Sequence, residues 1–311
     1  MTILIIGLGS IAKKHINVIR NLYPNYKIYA LRSQEKNVSV VEGVINIFNI
    51  EEIKEKVYCV FITNPTSLHS EAINKCLYLN APLLIEKPLF AKVIGNNKLL
   101  DFIKSRNIVT YIACNMRFHP AIIFLKKYLE ENIYKINEVN IYCGSFLPDW
   151  RKVDDYKKSY SANPNLGGGV HLDLIHEIDY IYWLFGKPMN VSSIKRNVST
   201  LGILAYDFAS YTLEYPSFCA NLILNYYRKP AKRSIELVFS NEILDIDLIK
   251  CTVKNAKDEI IFSKIDYNIL ETYNDQIIYF FNCIKNSTLP MNDIYESFET
   301  LKIALHEEIR K

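Results

Sequence analysis

The sequence predicts an α/β protein in two parts: a doubly wound parallel sheet, then an α+β domain built on a large, mostly antiparallel sheet. Three observations carry this. Up to about residue 118, short apolar runs alternate with helix-length segments, the pattern of parallel βα units. Beyond a helical stretch over 121–131 the runs turn strand-like, with no regular helices between them, which favours antiparallel pairing. A chain of 311 residues, half of them hydrophobic, is long enough to bury two cores. The expected domains are 1–118 and 119–311, with an amphipathic C-terminal helix over 292–311 free to pack back on the first.

In chain order, TILIIG (2–7), YKIYALR (26–32), VYCVFIT (57–63), PLLIEK (82–87) and VTYIAC (109–114) read as strands, and 11–21, 68–79 and 95–106 as the helices between them. In the second part INEVNIYCGSF, LAYDFASYTLEY, FCANLILNYY, RSIELVFS and EILDIDLI are the strand candidates. A helix is expected over 170–185, with Gly186 and Pro188 as its stop.

Composition removes several functional classes. The net charge of +4 is small, and no run of five like charges marks a nucleic-acid tail. Seven scattered cysteines without CxxC spacing suit neither a disulfide framework nor a zinc site, and fit thiols in a reducing compartment. No stretch reaches about 18 uninterrupted apolar residues, and the apolar N-terminus has no basic lead-in, so a cytoplasmic protein without a membrane partner is expected.

GLGSIA (7–12) follows the first strand directly and opens a helix. Gly7 permits the tight turn, Gly9 lets the N–H groups around Ser10 and Ile11 approach a pyrophosphate, and Ala12 takes the third glycine's place at the helix–strand contact. An NAD site usually has an acid about 20 residues further on, at the end of the second strand. Here that strand ends in Ala30, Leu31, Arg32 and Ser33. Arg32 therefore reads either as a 2′-phosphate partner, favouring NADP over NAD, or as a plate stacked on adenine. Three more loops stand at strand carboxyl ends, where such a sheet collects ligand groups. They offer Thr63, Asn64, Pro65 and His69; Glu86 and Lys87; and Asn115 and Arg117 as cofactor contacts. Lys87, held at a strand tip before a proline, can exchange a proton with an alcohol beside a nicotinamide.

GLGSIAKKH, NPTSLH, EKPLF, NMRFHP and GGGVHLDLIHEIDY, in this order and at these spacings, resemble the Gfo/Idh/MocA family of glucose-fructose oxidoreductase and inositol dehydrogenase relatives. The similarity runs over about residues 3–186. It implies an NAD(P)-binding Rossmann domain, an α/β domain whose open sheet serves oligomer contacts, and hydride exchange with a sugar, cyclitol or nucleotide-sugar alcohol. It also implies that Lys87, Asp173 and a histidine of the last motif surround the reacting hydroxyl. In many members that histidine follows the aspartate by four residues; here His176 follows Asp173 by three.

On the expected helix, Leu174, Ile178, Ile181 and Phe185 form an apolar stripe, while Asp173, His176, Glu177 and Tyr180 share a polar arc. The three glycines before it read as room for a ligand at the helix start. His176 is the proton-transfer candidate, because imidazole titrates near neutral pH, and Asp173 is its partner or the holder of the substrate hydroxyl. His171 reads as structural. A metal held by His171, Asp173, His176 and Glu177 lacks HExxH spacing and is not expected. The polar, aromatic loop over 145–163 offers Trp150, Arg151, Tyr156 and Tyr160, with Arg117, as substrate contacts.

The sequence thus points to an NAD(P)-dependent oxidoreductase acting on a sugar or nucleotide sugar, with Lys87, Asp173 and His176 catalytic, no metal and no nucleic acid. A homodimer or homotetramer is expected from the antiparallel sheet. The alternatives are an NAD-retaining glycosidase and a non-catalytic nucleotide or sugar sensor.

Overall fold

A computed structural model describes residues 1–33, 40–132, 134–150 and 155–306. Two units emerge: Met1–Cys114 with Leu270–Leu301, and Asn115–Ile269 with the chain from 302 onward. The opening segment of the first unit ends at 114 and residues 270–301 belong to the same unit; the expected division was 1–118 and 119–311, with the helix over 292–311 free to pack back on the first.

The first unit runs β1 (Thr2–Ile6), α1 (Ser10–Leu22), β2 (Lys27–Leu31), β3 (Val44–Ile47), β4 (Val57–Ile62), α2 (His69–Cys76), β5 (Leu83–Ile85), α3 (Asn97–Ser105) and β6 (Thr110–Ile112). Its strands are all parallel, in the order β3-β2-β1-β4-β5-β6. Continuous apolar runs such as Ile3–Ile6 suit this arrangement, because helices cover both faces of a parallel sheet. α1 turns Ala12, His15, Ile16 and Ile19 inward at helical spacing and stops just before Pro24. β3, only four residues long, escaped the sequence reading. The chain reverses its direction across the sheet between β1 and β4, so the carboxyl ends of those two strands flank the switch point.

The second unit runs α4 (Pro120–Glu131), β7 (Ile136–Gly144), α5 (Val170–Asp173), α6 (His176–Phe185), β8 (Asn190–Arg196), β9 (Phe208–Glu214), β10 (Cys219–Asn225), β11 (Lys232–Phe239), β12 (Ile243–Asp247), β13 (Thr252–Lys254) and β14 (Ile260–Ser263). These strands form one sheet in the order β14-β13-β12-β11-β7-β10-β9-β8; β7 and β10 are parallel and the other neighbours antiparallel. One face buries Ala209, Tyr211, Leu222, Leu224, Ile235 and Leu237. The other carries a hydrogen-bonded row, Thr212 to Asn221 to Asn140 to Glu236.

The expected single helix over 170–185 is two. Leu174 and Ile175 turn the chain between α5 and α6, and both are buried. Apolar side chains at two successive positions meet the core this way, whereas one helix would splay them about 100° apart.

α7 (Glu271–Asn286) packs on α1 in the first unit, where Phe280 and Phe281 meet Phe61 edge-on. Before α8 (Ile294–Ala304), Asn292 covers the outer edge of β6 through a backbone and a side-chain hydrogen bond with Ile112. No described helix is long and apolar enough to cross a membrane.

His119 starts α4: its Nδ1 accepts from the Ala121 N–H, and its Nε2 donates to the Leu248 carbonyl at 2.9 Å. Burial pushes its pKa from 6.5 down to about 4. The folded pKa lies below the unfolded one, so the stability that neutral His119 contributes is present above pH 6.5 and is lost as pH falls towards 4. His119→Asn keeps a capping oxygen and cannot acquire a buried charge. We expect it to lose less melting temperature than the parent between pH 7 and 4.5; equal losses in a calorimetric series would remove this role.

Candidate functional site

The first unit assembles one cleft from its strand ends. Gly7 has φ +88°, and a Cβ there would lie 2.7 Å from the Asn64 backbone, so only glycine fits. Thr63 closes the same junction, its hydroxyl donating to the carbonyls of Ile6 (3.0 Å) and Gly7 (2.6 Å). Two residues on, the situation reverses: a Cβ on Gly9 would meet nothing within 4 Å. Gly9 caps α1 without any side-chain cap, and the first turn holds no acid. The N–H groups at Ser10 and Ile11, which lack intrahelical acceptors, thus open on free space with the positive end of the helix dipole behind them. The geometry fits a pyrophosphate.

From Gly7 the cleft, about 720 Å³, extends past Asn64 and Pro65 to Arg32 and Ser33 at the end of β2. Glu51, Glu71 and Lys75 line its far part, Lys75 pairing with Glu71 at 2.6 Å. Glu51 escaped the sequence reading, which looked for an acid only after β2; it arrives from the turn after β3, whose NIEE capping box at Asn49–Glu52 was the available signal.

His69, expected among the cofactor contacts, is instead buried with its two ring nitrogens 3.0 Å from the carbonyls of Leu89 and Asn64. Burial lowers its pKa. The ring ties the NPTSLH loop to the EKPLF loop and leaves no face for a ligand. At the end of β5, Glu86 is buried and accepts from His15 Nε2 at 2.6 Å, while Lys87 is partly exposed. His15 was not singled out from sequence.

In the second unit, Arg117 corrects another expectation. It is fully buried, its Nε and Nη2 forking onto Asp179 at 2.9 and 2.8 Å, with Trp183 beneath the guanidinium. A guanidinium held this way supports α6 and is not available to a substrate. Asn115 is buried in the same turn. Asp173 is buried and accepts from the Tyr226 hydroxyl at 2.5 Å; Trp150 packs edge-on against Tyr226, 5.2 Å between ring centres, and donates its N–H to Ser145. Tyr160 donates its hydroxyl to the nearby Gly167 carbonyl, and Tyr156 donates to the Leu201 carbonyl in the connection between β8 and β9. Arg151 lies outside the described residues.

The polar arc is divided. Glu177 and Tyr180 are fully buried, and Glu177 accepts from Arg233 Nε at 2.6 Å. Burial, and then the Glu177 charge, push the Tyr180 phenol up. From Gly167 to Ile181 every residue is buried except His176, which is partly exposed at the start of α6. His171 is buried edge-on to Tyr206, and burial pushes its pKa down to about 3. Among the described residues no three His, Cys, Asp or Glu side chains converge as a metal site.

The glycine run has internal causes. Gly167 and Gly169 have φ of +91° and +128°, and a Cβ on Gly168 would lie 2.1 Å from the Tyr160 carbonyl. These backbone demands, and not room for a ligand, explain all three.

Residues 1–113 match the model of an oxidoreductase family with an NAD-binding Rossmann fold, and residues 130–244 that of the GFO/IDH/MocA C-terminal domain. The levoglucosan dehydrogenase of Pseudarthrobacter phenanthrenivorans is 29% identical over 140 residues, 44% of this chain and 35% of that protein. The NADP(+)-dependent scyllo-inositol 2-dehydrogenase of Bacillus subtilis is 24% identical over 67% of this chain and 57% of its own. The matched stretches thus span about a third to just over half of these relatives' lengths. The solved UDP-N-acetylglucosamine 3-dehydrogenase of Acidithiobacillus ferrooxidans superposes with a TM-score of 0.78 at 19% identity, covering 98% of this chain and 95% of that one, which shows the shared fold.

Gly7 and Gly9 should separate stability from binding. Gly7→Ala meets the Asn64 backbone and should lower the melting temperature, whereas Gly9→Ala should leave it unchanged and weaken nicotinamide-dinucleotide binding by about tenfold. A Gly9→Ala protein that binds as the parent does would remove the anion role of this helix end.

Proposed function

Because the chain belongs to the GFO/IDH/MocA family of oxidoreductases, we propose that it transfers hydride between NADP(H), or NAD(H), and a secondary alcohol of a sugar or nucleotide sugar. The observation that carries this is the cleft that runs from Gly7 and Leu8, directly before the uncapped N-terminus of α1, to Arg32 and Ser33 at the end of β2. A bound nicotinamide dinucleotide supplies the hydride donor or acceptor.

The chain's residues do the rest. The Ser10 and Ile11 N–H groups hold the pyrophosphate; Asn64 and Pro65 wall the cleft beside it. Arg32 and Ser33 take the 2′-phosphate, a charge-assisted contact that favours NADP. Lys87 and His176 exchange the hydroxyl proton. Asp173, held by Tyr226, orients the alcohol. Trp150 offers an aromatic face to the sugar ring. The relatives named above act on an anhydrosugar, a cyclitol and a nucleotide sugar, which supports polyhydroxylated substrates as the class.

Fluorescence titration with NADPH and NADH tests the cofactor half. NADPH should bind more tightly, and Arg32→Ala should weaken it by roughly tenfold or more with little effect on NADH. Equal loss of both would remove the 2′-phosphate assignment. Lys87→Ala should lower turnover by about 10²-fold or more; undiminished turnover would remove Lys87 from the chemistry.

A further inference from the structure

One buried pair in the first unit takes no part in that chemistry. His15 lies on the inward face of α1, with no exposed surface, between the edges of Phe61 and Tyr273. An apolar side chain would pack there without the desolvation cost that a polar ring carries unless it is hydrogen-bonded. Its Nε2 donates to Glu86 Oε1 at 2.6 Å, across 71 residues of sequence. Glu86 is itself buried, is anchored by its N–H to the Ile62 carbonyl, and directly precedes Lys87. The same helix that presents its N–H groups at Ser10 and Ile11 therefore grips, about 7.5 Å further along its axis, the residue before Lys87.

We infer that His15 is a positioning residue, which fixes the Lys87 ammonium by fastening Glu86 to α1. The inference rests on the proposed role of Lys87, and it makes one rigid helix responsible both for seating the dinucleotide and for placing the amine beside it. A small displacement of a proton-transfer group costs far more rate than binding, so losing the bond should act on Lys87 and not on cofactor affinity.

The probe is acetic anhydride, with the acetylation rate of each lysine followed by mass spectrometry in the free and NADPH-bound protein. His15→Phe and Glu86→Gln should each change the Lys87 rate by about threefold or more and leave the other lysines unchanged, and His15→Phe should leave the NADPH dissociation constant within about twofold. His15→Gln, whose amide nitrogen reaches about as far from the backbone as Nε2, should restore the parental rate. An unchanged Lys87 rate in both disrupting variants overturns the inference. So does a uniform rise across all lysines with a fall in melting temperature, since that marks a merely structural residue. Labelling does not depend on turnover. If the labelling result holds while Lys87→Ala keeps full activity, the catalytic assignment fails and the mechanical link stands. If Lys87→Ala is inactive and labelling is unmoved, the reverse is true.

Discussion

The contact between Gly7 and the backbone of Asn64 is the constraint on which the cofactor cleft depends. With no Cβ between them, the tips of β1 and β4 close to a distance that only glycine allows, and the Thr63 hydroxyl seals the junction through two carbonyls. The chain must then leave β1 in a left-handed turn, which starts α1 with its N–H groups over the switch point. His69 extends the tie to the loop after Lys87, and His15 extends it to Glu86. The loops after β1, β4 and β5 thereby behave as one body, and a ligand meets a preformed surface.

The second unit reaches a comparable rigidity with buried charge. Asp173, Glu177 and Asp179 sit within seven residues of one another, and each has a partner from a distant part of the unit: Tyr226, Arg233 and Arg117. The two ion pairs among them, Arg117–Asp179 and Arg233–Glu177, add little net stability, because desolvation offsets their attraction, yet removing one partner of such a pair costs about 3–5 kcal/mol. Their effect is to fix α5 and α6 in one register. That register leaves His176 as the partly exposed side chain of an otherwise buried segment.

What could be read from the sequence was local. The glycine loop, five of the six parallel strands and the change of texture after the helix over 121–131 follow from short-range periodicity and turn chemistry, and these were legible. What escaped was set by contacts distant in sequence. Arg117 has the same composition signal whether it meets a substrate or Asp179, 62 residues on; His15 reads as one more helix residue until Glu86 is placed against it. The break at Leu174–Ile175 preserves the apolar spacing on both sides, so periodicity alone could not show it. The C-terminal helix was read as free to pack on either part and no more, for a related reason: an amphipathic helix states that it must be covered, not by what.

In the function proposed for this chain, hydride moves with net change in the nicotinamide. The direct measurement is absorbance at the reduced-nicotinamide band after the protein, with NADP+ or NAD+, is mixed with a series of anhydrosugars, cyclitols and nucleotide sugars, alongside chromatography of the products. Reduced nicotinamide should form in step with an oxidised product for at least one of them. A product that accumulates while the absorbance stays flat, or a series that yields no product from protein with its dinucleotide bound, would contradict it.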